Sequence, residues 1–430
     1  MSQVDFSDGY ICVYWDVEDY PIPKDFEPRL IFKNIKSALS KMGFGGSFVG
    51  IEAYGEDEIP EALDEKLIED GMIMYNPKGS VNLMIEDITN IECNYSDKPH
   101  NLMVISKKIP EDNESMRVLS ALRSRGRNVL LVQPDDEAAS EKLFLTPESI
   151  SDCTRYLNGE KPIDEIVDYT SSCTSWETDT DYYTDTEKVE ESNVLLVHDT
   201  DTDKEESNVL LVQPHDDVAS EKLFHTSSSV SDYTRLLDGG KPMDQSVSSQ
   251  VETMNEDFSR PITHVDGRKT GVFWDVDDSP LPNDLDPQSI YQKIKTALEE
   301  KEYLGEMTIW AYADKITFSD DLMDEYRKAK IYFLPGGDKN ARFYRMIHDI
   351  QLWEIDTLPL RYSTESNVIV ISNNIPSDID FIECLKCSAS RGYNNLLVQP
   401  NEAAPEKPET SEWPGYLLHG GKPIGRIRYL

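Results

Sequence analysis

No apolar stretch in this 430-residue chain approaches the roughly 20 residues that a membrane-spanning helix needs, so no membrane segment is expected. The N-terminus, MSQVDFSDGY, places no basic residues ahead of an apolar run, as a secretory signal would. A cytoplasmic or nuclear protein is therefore expected. Cysteine is scarce: the six residues Cys12, Cys93, Cys153, Cys173, Cys384 and Cys387 show no framework spacing. Cys384-Leu-Lys-Cys387 is a CxxC without a second pair or a neighbouring His, too few ligands for zinc. The seven His are scattered, with no HExxH, and GxSxG and P-loop patterns are missing. Zinc hydrolases, nucleophile-elbow hydrolases and P-loop NTPases drop out. Basic residues are also few, 42 Lys and Arg against 81 Asp and Glu, for a net charge of −39. Such a surface repels phosphate backbones. General nucleic-acid binding is excluded, and any RNA contact must use a local basic patch or bound cations.

The acids are uneven. Basic and acidic residues number 17 and 30 over 1–163, 6 and 25 over 164–267, and 19 and 26 over 268–430, so the middle is the most acidic part. It separates two copies of one pattern. Gly9-Tyr-Ile-Cys-Val-Tyr-Trp-Asp16-Val-Glu-Asp19 returns as Thr270-Gly-Val-Phe-Trp-Asp275-Val-Asp-Asp278. Pro-rich loops follow, then the helical patterns IFKNIKSALSKM and IYQKIKTALEEK. Ile51-Glu-Ala-Tyr-Gly-Glu56 matches Ile309-Trp-Ala-Tyr-Ala-Asp314, and Asn101-Leu-Met-Val-Ile-Ser106 matches Asn367-Val-Ile-Val-Ile-Ser372. The segment from Arg125 to Pro134 matches Arg391 to Pro400. Order and spacing together indicate a domain duplication. The resulting organisation is a domain at 8–163, an acidic linker at 164–267, and a domain at 268–430. Within the linker, 193–243 repeats a domain tail: Asn208 to Pro242 aligns without gaps on Asn128 to Pro162. The Ser/Thr/Asp-rich run ahead of it has the composition of a disordered segment.

Short β-branched and aromatic runs alternate with amphipathic stretches in each copy. In the second, the pattern predicts strands at 270–275, 306–312, 330–334, 367–372 and 394–399, and helices at 287–300, 320–329, 341–354 and 378–390. Strands alternating with helices mean an α/β fold, a mainly parallel sheet and helices on both faces, three layers in all. Sites in such sheets lie beyond the carboxyl ends of strands. Asp16 and Asp275 end the first strands, and carboxylates gathered there suit Mg²⁺ or Mn²⁺, which take oxygen ligands and can activate water against a phosphodiester. Asp314, Asp349, Asp378 and Asp380 are further candidates in the second copy; Glu18, Asp19, Glu56, Asp57 and Asp87 are those of the first. Lys339, Arg342 and Arg345 are spaced to share a helix side. Arg123, Arg125, Arg127 and Arg391 precede the last strands. These groups could meet phosphates of single-stranded RNA or lie on a solvated face. Paired carboxylates also occur in glycosidases, but nothing here supplies an aromatic sugar platform.

The ordered set of motifs, WDVED with a following Pro, then AYG(E/D), a helix, (V/I)IS and RG-x-N-x-LLVQP, resembles the NYN domain. It is most similar to plant proteins related to the meiosis regulator and mRNA stability factor (limkain-type) group. The resemblance covers roughly 9–163 and 268–430. It implies two tandem PIN-like (NYN) domains, a divalent-metal-dependent endoribonuclease activity, and a role in RNA turnover or regulation of gene expression. Carried over by position, it implies Asp275, Asp314, Asp349, Asp380, Asp16 and Asp87 as catalytic residues, with Asp275, Asp380 and Asp16 as ligands of Mg²⁺ or Mn²⁺. Both copies depart from the pattern. An acid expected six positions before Asp87 and Asp349 is Val81 and Phe343. The SGD motif reads Ser106-Lys-Lys and Ser372-Asn-Asn, and Glu56 replaces an aspartate. The site is thus incomplete, and the alternative is an inactive tandem pseudo-nuclease serving as a scaffold, with protein partners at the acidic middle. Relatives are associated with peroxisomes; the ending Arg-Tyr-Leu is not the Ser-Lys-Leu address.

Overall fold

The computed structural model of the chain describes residues 6–21, 27–55, 73–77, 81–94, 100–162, 257–262, 267–357, 366–373, 375, 381–400, 413–414, 418 and 421–425. The duplicated tail at 193–243 lies outside the described residues. The first copy runs β1 (Tyr10–Asp16), α1 (Pro28–Lys41), β2 (Phe48–Gly55), β3 (Ile73–Pro77), α2 (Val81–Glu92), β4 (His100–Ile105), α3 (Asn113–Ser124), β5 (Asn128–Val132), α4 (Glu137–Lys142), α5 (Pro147–Cys153) and β6 (Thr154–Tyr156). The second runs β7 (Lys269–Asp275), α6 (Pro287–Glu299), β8 (Glu306–Ala313), α7 (Asp320–Lys328), β9 (Ile331–Pro335), α8 (Lys339–Thr357), β10 (Asn367–Ile371), α9 (Phe381–Ser390), β11 (Asn394–Val398) and β12 (Lys422–Ile424).

The two sheets have one topology, β3-β2-β1-β4-β5-β6 and β9-β8-β7-β10-β11-β12. All pairings are parallel except the last edge strand of each, which runs antiparallel. The edge strands β6 and β12 were not expected from the sequence. Elsewhere in the second copy the predicted strands recur within a residue. The chain leaves the first strand toward one side and the fourth toward the other, so a crevice opens beyond β1 and β4, and beyond β7 and β10.

Alternate residues of the central strands feed two cores. In the first copy Val13 and Trp15 face α1 and α5, while Cys12 and Tyr14 face α2 and α3. In the second, Val272 and Trp274 face α6 and α7, while Phe273 faces α8 and α9. Helix starts follow local chemistry. Asp286 accepts the Ser289 N–H at 2.9 Å ahead of Pro287, and Asp112 accepts the Ser115 N–H at 2.7 Å.

The two copies join in one compact unit, Met1–Ile166 with Glu252–Leu430; the other unit, Val167–Val251, lies outside the described residues. The junction is helix on helix, with Ile85 and Ile88 of α2 in one apolar cluster with Met346, Ile350 and Trp353 of α8. Helix α8 outruns its sequence pattern, 339–357 against 341–354, because it is covered by its own sheet and by the first copy. Thr89 and Gln351 each stand two residues beyond the matched Asp87 and Asp349, and their side chains touch. Arg125 and Arg391, equivalent in the two RG turns, each cross over: Arg125 to Asp356 at 2.7 Å, Arg391 to the Asn90 side chain at 2.7 Å. Equivalent residues meeting each other is the mark of an isologous interface, here inside one chain.

The side chains of Arg125 and Asp356 are only 2% and 4% exposed, and their pair bridges the copies. Arg125→Ala strands a buried carboxylate and is expected to cost about 3–5 kcal/mol. Urea unfolding should register that loss, and Asp356→Asn in the same chain should recover part of it.

Candidate functional site

Trp-Asp at the end of the first strand shapes the crevice. The indole N–H of Trp15 donates to the Tyr20 carbonyl at 2.9 Å, and that of Trp274 to the Ser279 carbonyl at 2.8 Å. Each closes the following loop over the strand end. Asp16 Oδ1 accepts the backbone N–H groups of Glu18 and Asp19 at 3.0 and 3.1 Å. Asp275 Oδ1 accepts those of Asp277 and Asp278 at 3.1 and 3.3 Å. This turn, in which an aspartate binds its own backbone two and three residues on, is one structural duty of the motif. The loop is then tied across the crevice. Asp19 accepts from Ser106 Oγ at 2.9 Å and from the Lys107 and Lys108 N–H groups at 2.8 and 3.2 Å. Asn373 donates to the Asp278 carbonyl at 2.7 Å.

A basic side chain enters each acid cluster. In the first copy Lys108 Nζ lies 3.1 Å from Asp16 Oδ2, 3.6 Å from Asp19 and 3.9 Å from Glu18. In the second, Arg342 comes from the first turn of α8. Its Nε donates to Asp275 Oδ1 at 3.2 Å, and its Nη1 lies 3.0 Å from Asp277 Oδ2. The two cations come from different elements, one from the loop after β4 and the other from a helix. Asp275 Oδ2 is buried without a hydrogen-bond partner. Asp314 is exposed, and only its backbone N–H joins the cluster, donating to Asp277 Oδ2 at 2.8 Å.

Residues 269–411 match the family model of the NYN domain. An NYN domain is a PIN-like domain of nuclease type. The first copy lies outside the match but shares its strand order. The comparison with curated proteins gave no match.

Asp349 of the matched region is fully buried and bound to other groups. It accepts from the Tyr312 hydroxyl at 3.0 Å and from Arg345 Nε at 2.9 Å, and Arg117 of the first copy lies 2.9 Å from it. It stands seven positions along the helix from Arg342, roughly 10 Å of rise, and Asp275 and Asp349 bind different arginines. Asp87, its counterpart, has Leu83 where Asp349 has Arg345. It accepts the Tyr54 hydroxyl at 3.0 Å, which also lies 3.0 Å from Glu52. Asp380, Asp378, Glu56 and Asp57 lie outside the described residues. Among the described residues, no three His, Cys, Asp or Glu side chains come together as a metal site. The described carboxylates of both crevices do not fit a divalent ion as arranged, since a lysine and an arginine already bind the strand-end acids.

Most of the arginines singled out for phosphate contact serve inside the protein. Arg127 pairs with Glu92, and Arg391 with Glu354 at 3.0 Å; both arginines are buried, as are Arg125 and Arg342. Arg123 is exposed and Lys339 half-buried. Sequence reasoning missed Lys108 as a counter-ion, although lysine at a motif position that is Asn374 in the second copy was the available signal. Nothing in the sequence pointed to Arg117.

The electrostatics follow from burial and partners. Burial raises Asp16, opposed by the backbone N–H and Lys108. Burial also pushes Asp19 up, but bonds from Ser106, Lys107 and Lys108 outweigh it and hold the group below its usual range. Asp275 is raised by burial against the pull of Arg342. Asp87 goes from an ordinary 3.8 to about 6, by burial first, with the Tyr54 bond opposing and Glu52 adding. A raised carboxyl binds its proton more tightly in the folded chain. Its contribution is complete below 3.8 and lost as pH climbs through about 6. Asp87→Asn should therefore gain stability relative to the parent between pH 4 and 7, by on the order of 2 kcal/mol. Paired urea titrations at the two pH values check the direction.

Proposed function

We propose that this protein acts in RNA turnover or control of gene expression as a nuclease-like NYN protein that works by binding and does not cleave. The observation that carries the reading is the basic side chain bound inside each strand-end acid cluster, Lys108 on Asp16 and Arg342 on Asp275. A divalent ion at either place would have to displace a cation already paired with the carboxylate. Losses at Val81, Phe343 and Ser106-Lys-Lys run the same way. The binding is to protein partners. The segment 164–267, with 25 acids to 6 basic residues, suits basic surfaces, whereas the arginines considered for RNA contact are mostly committed to internal pairs. The ordered motifs, similar to those of the limkain-type plant group, support the RNA-related setting.

A second reading, metal-dependent endoribonuclease activity in the second copy, is favoured by one detail: Asp275 Oδ2 is buried and accepts no hydrogen bond. Asp275 would then hold Mg²⁺ or Mn²⁺, with Asp380 the other ligand, and RNA would meet Lys339 and Arg123.

The full chain and its Asp275→Asn form should be incubated with end-labelled single-stranded RNA in Mn²⁺ or EDTA. Equal background decay in all four mixtures, within about twofold, is the expected result. Decay that requires Mn²⁺ and disappears with Asp275→Asn would replace the binding reading with the cleavage one.

A further inference from the structure

The short segment before β7 is seated between the two copies in a manner of its own. Residues 257–262 have no regular secondary structure. Phe258 is fully buried, 4.8 Å from the Trp310 ring and 6.3 Å from that of Phe273, ring centre to ring centre. Its φ is +61°, in the left-handed region that a bulky side chain rarely adopts and that carries backbone strain. Around it, side chains of both copies bind the segment's main chain. Arg125 donates to the Phe258 carbonyl at 2.9 Å and to the Arg260 carbonyl at 3.2 Å. Ser124 donates to the Ser259 carbonyl at 2.8 Å, and Arg345 to the Asp257 carbonyl at 3.2 Å. The Ile262 N–H donates to Asp356 at 2.9 Å.

An aromatic anchor in a pocket, with backbone groups read by fixed donors, is how grooves recognise short linear peptides. We propose that the groove between the copies is a peptide-binding site for an acid-Phe-Ser segment, and that residues 257–262 are its built-in occupant. The donors, not the tripeptide alone, define the site. Asp5-Phe6-Ser7 has the same sequence, yet Phe6 packs on the α1 side of the first sheet and its carbonyl accepts from Asn101 at 2.9 Å. The strained φ of Phe258 weakens the occupant's hold, and the segment joins directly onto the acidic middle. A partner peptide carrying an acidic residue followed by Phe would compete for the same seat. Occupancy in cis then sets the threshold for binding in trans. This inference stands on the groove and is independent of whether the acid clusters cleave RNA.

The test uses the full chain with Phe258→Ala and Phe258→Leu, and a fluorescent synthetic peptide of residues 254–263. Polarisation titrations are expected to show saturable binding to Phe258→Ala at least tenfold tighter than to the unmodified chain. A peptide with Ala at the Phe position should not bind. Phe258→Leu keeps an apolar side chain in the core and serves should the Ala form not fold. It is expected to bind the peptide more tightly than the unmodified chain does. Equal binding by the unmodified chain and the folded variants, or binding that ignores the peptide's Phe, would overturn the proposal.

Discussion

The face of α8 turned toward the first copy imposes the condition that the rest of the molecule answers. Packing α2 and α3 against α8 removes Glu92, Asp349, Glu354 and Asp356 from water, and ionised carboxylates in such a place need charged partners. Arginines meet that need: Arg127, Arg117 with Arg345, Arg391 and Arg125 respectively. In a chain with twice as many acids as bases, this commits much of the available arginine to the interior. Those arginines are thereby withheld from any phosphate outside the protein.

The crevices obey a related condition. The Trp-Asp turn gathers three acids over the end of each first strand, and their mutual repulsion is relieved by a basic side chain of the same copy. The first copy recruits Lys108 from the loop beyond β4, and the second recruits Arg342 from α8. Two different solutions at equivalent places show that partial compensation of the cluster's charge, rather than one particular cation, is what the two copies share. Aspartates that bind backbone N–H groups and close a turn can be kept for that reason alone. A recurring WDVxD pattern is therefore compatible with binding and with chemistry.

The interface also makes the copies interdependent. Asp349 of the second copy takes one of its arginines from the first, and the strap around Phe258 is held by side chains of both. A duplicated domain that pairs isologously with its twin uses up the surface through which a single copy would have paired with another chain.

Much of the fold was legible because its signals are local. Strand runs and helical periodicity carried the α/β class, the mostly parallel sheets and the placement of Asp16 and Asp275 at strand ends, since those depend on near neighbours along the chain. The antiparallel edges β6 and β12 carry three residues each, too short for a periodic signal. The extra length of α8 came from contact with the other copy. Of the candidate site residues, Asp16 and Asp275 stand in the crevices. Asp314 turns to solvent, and Asp349, two turns along α8 from Arg342, binds Arg345, Arg117 and the Tyr312 hydroxyl. The partners of these acids were not legible, because an ion pair such as Arg117 with Asp349 joins residues more than two hundred positions apart. The sequence by itself determined the repeated α/β framework and the acids at its strand ends. Only the tertiary structure decided which cations neutralise them, because burial and proximity arise when the two copies close on each other.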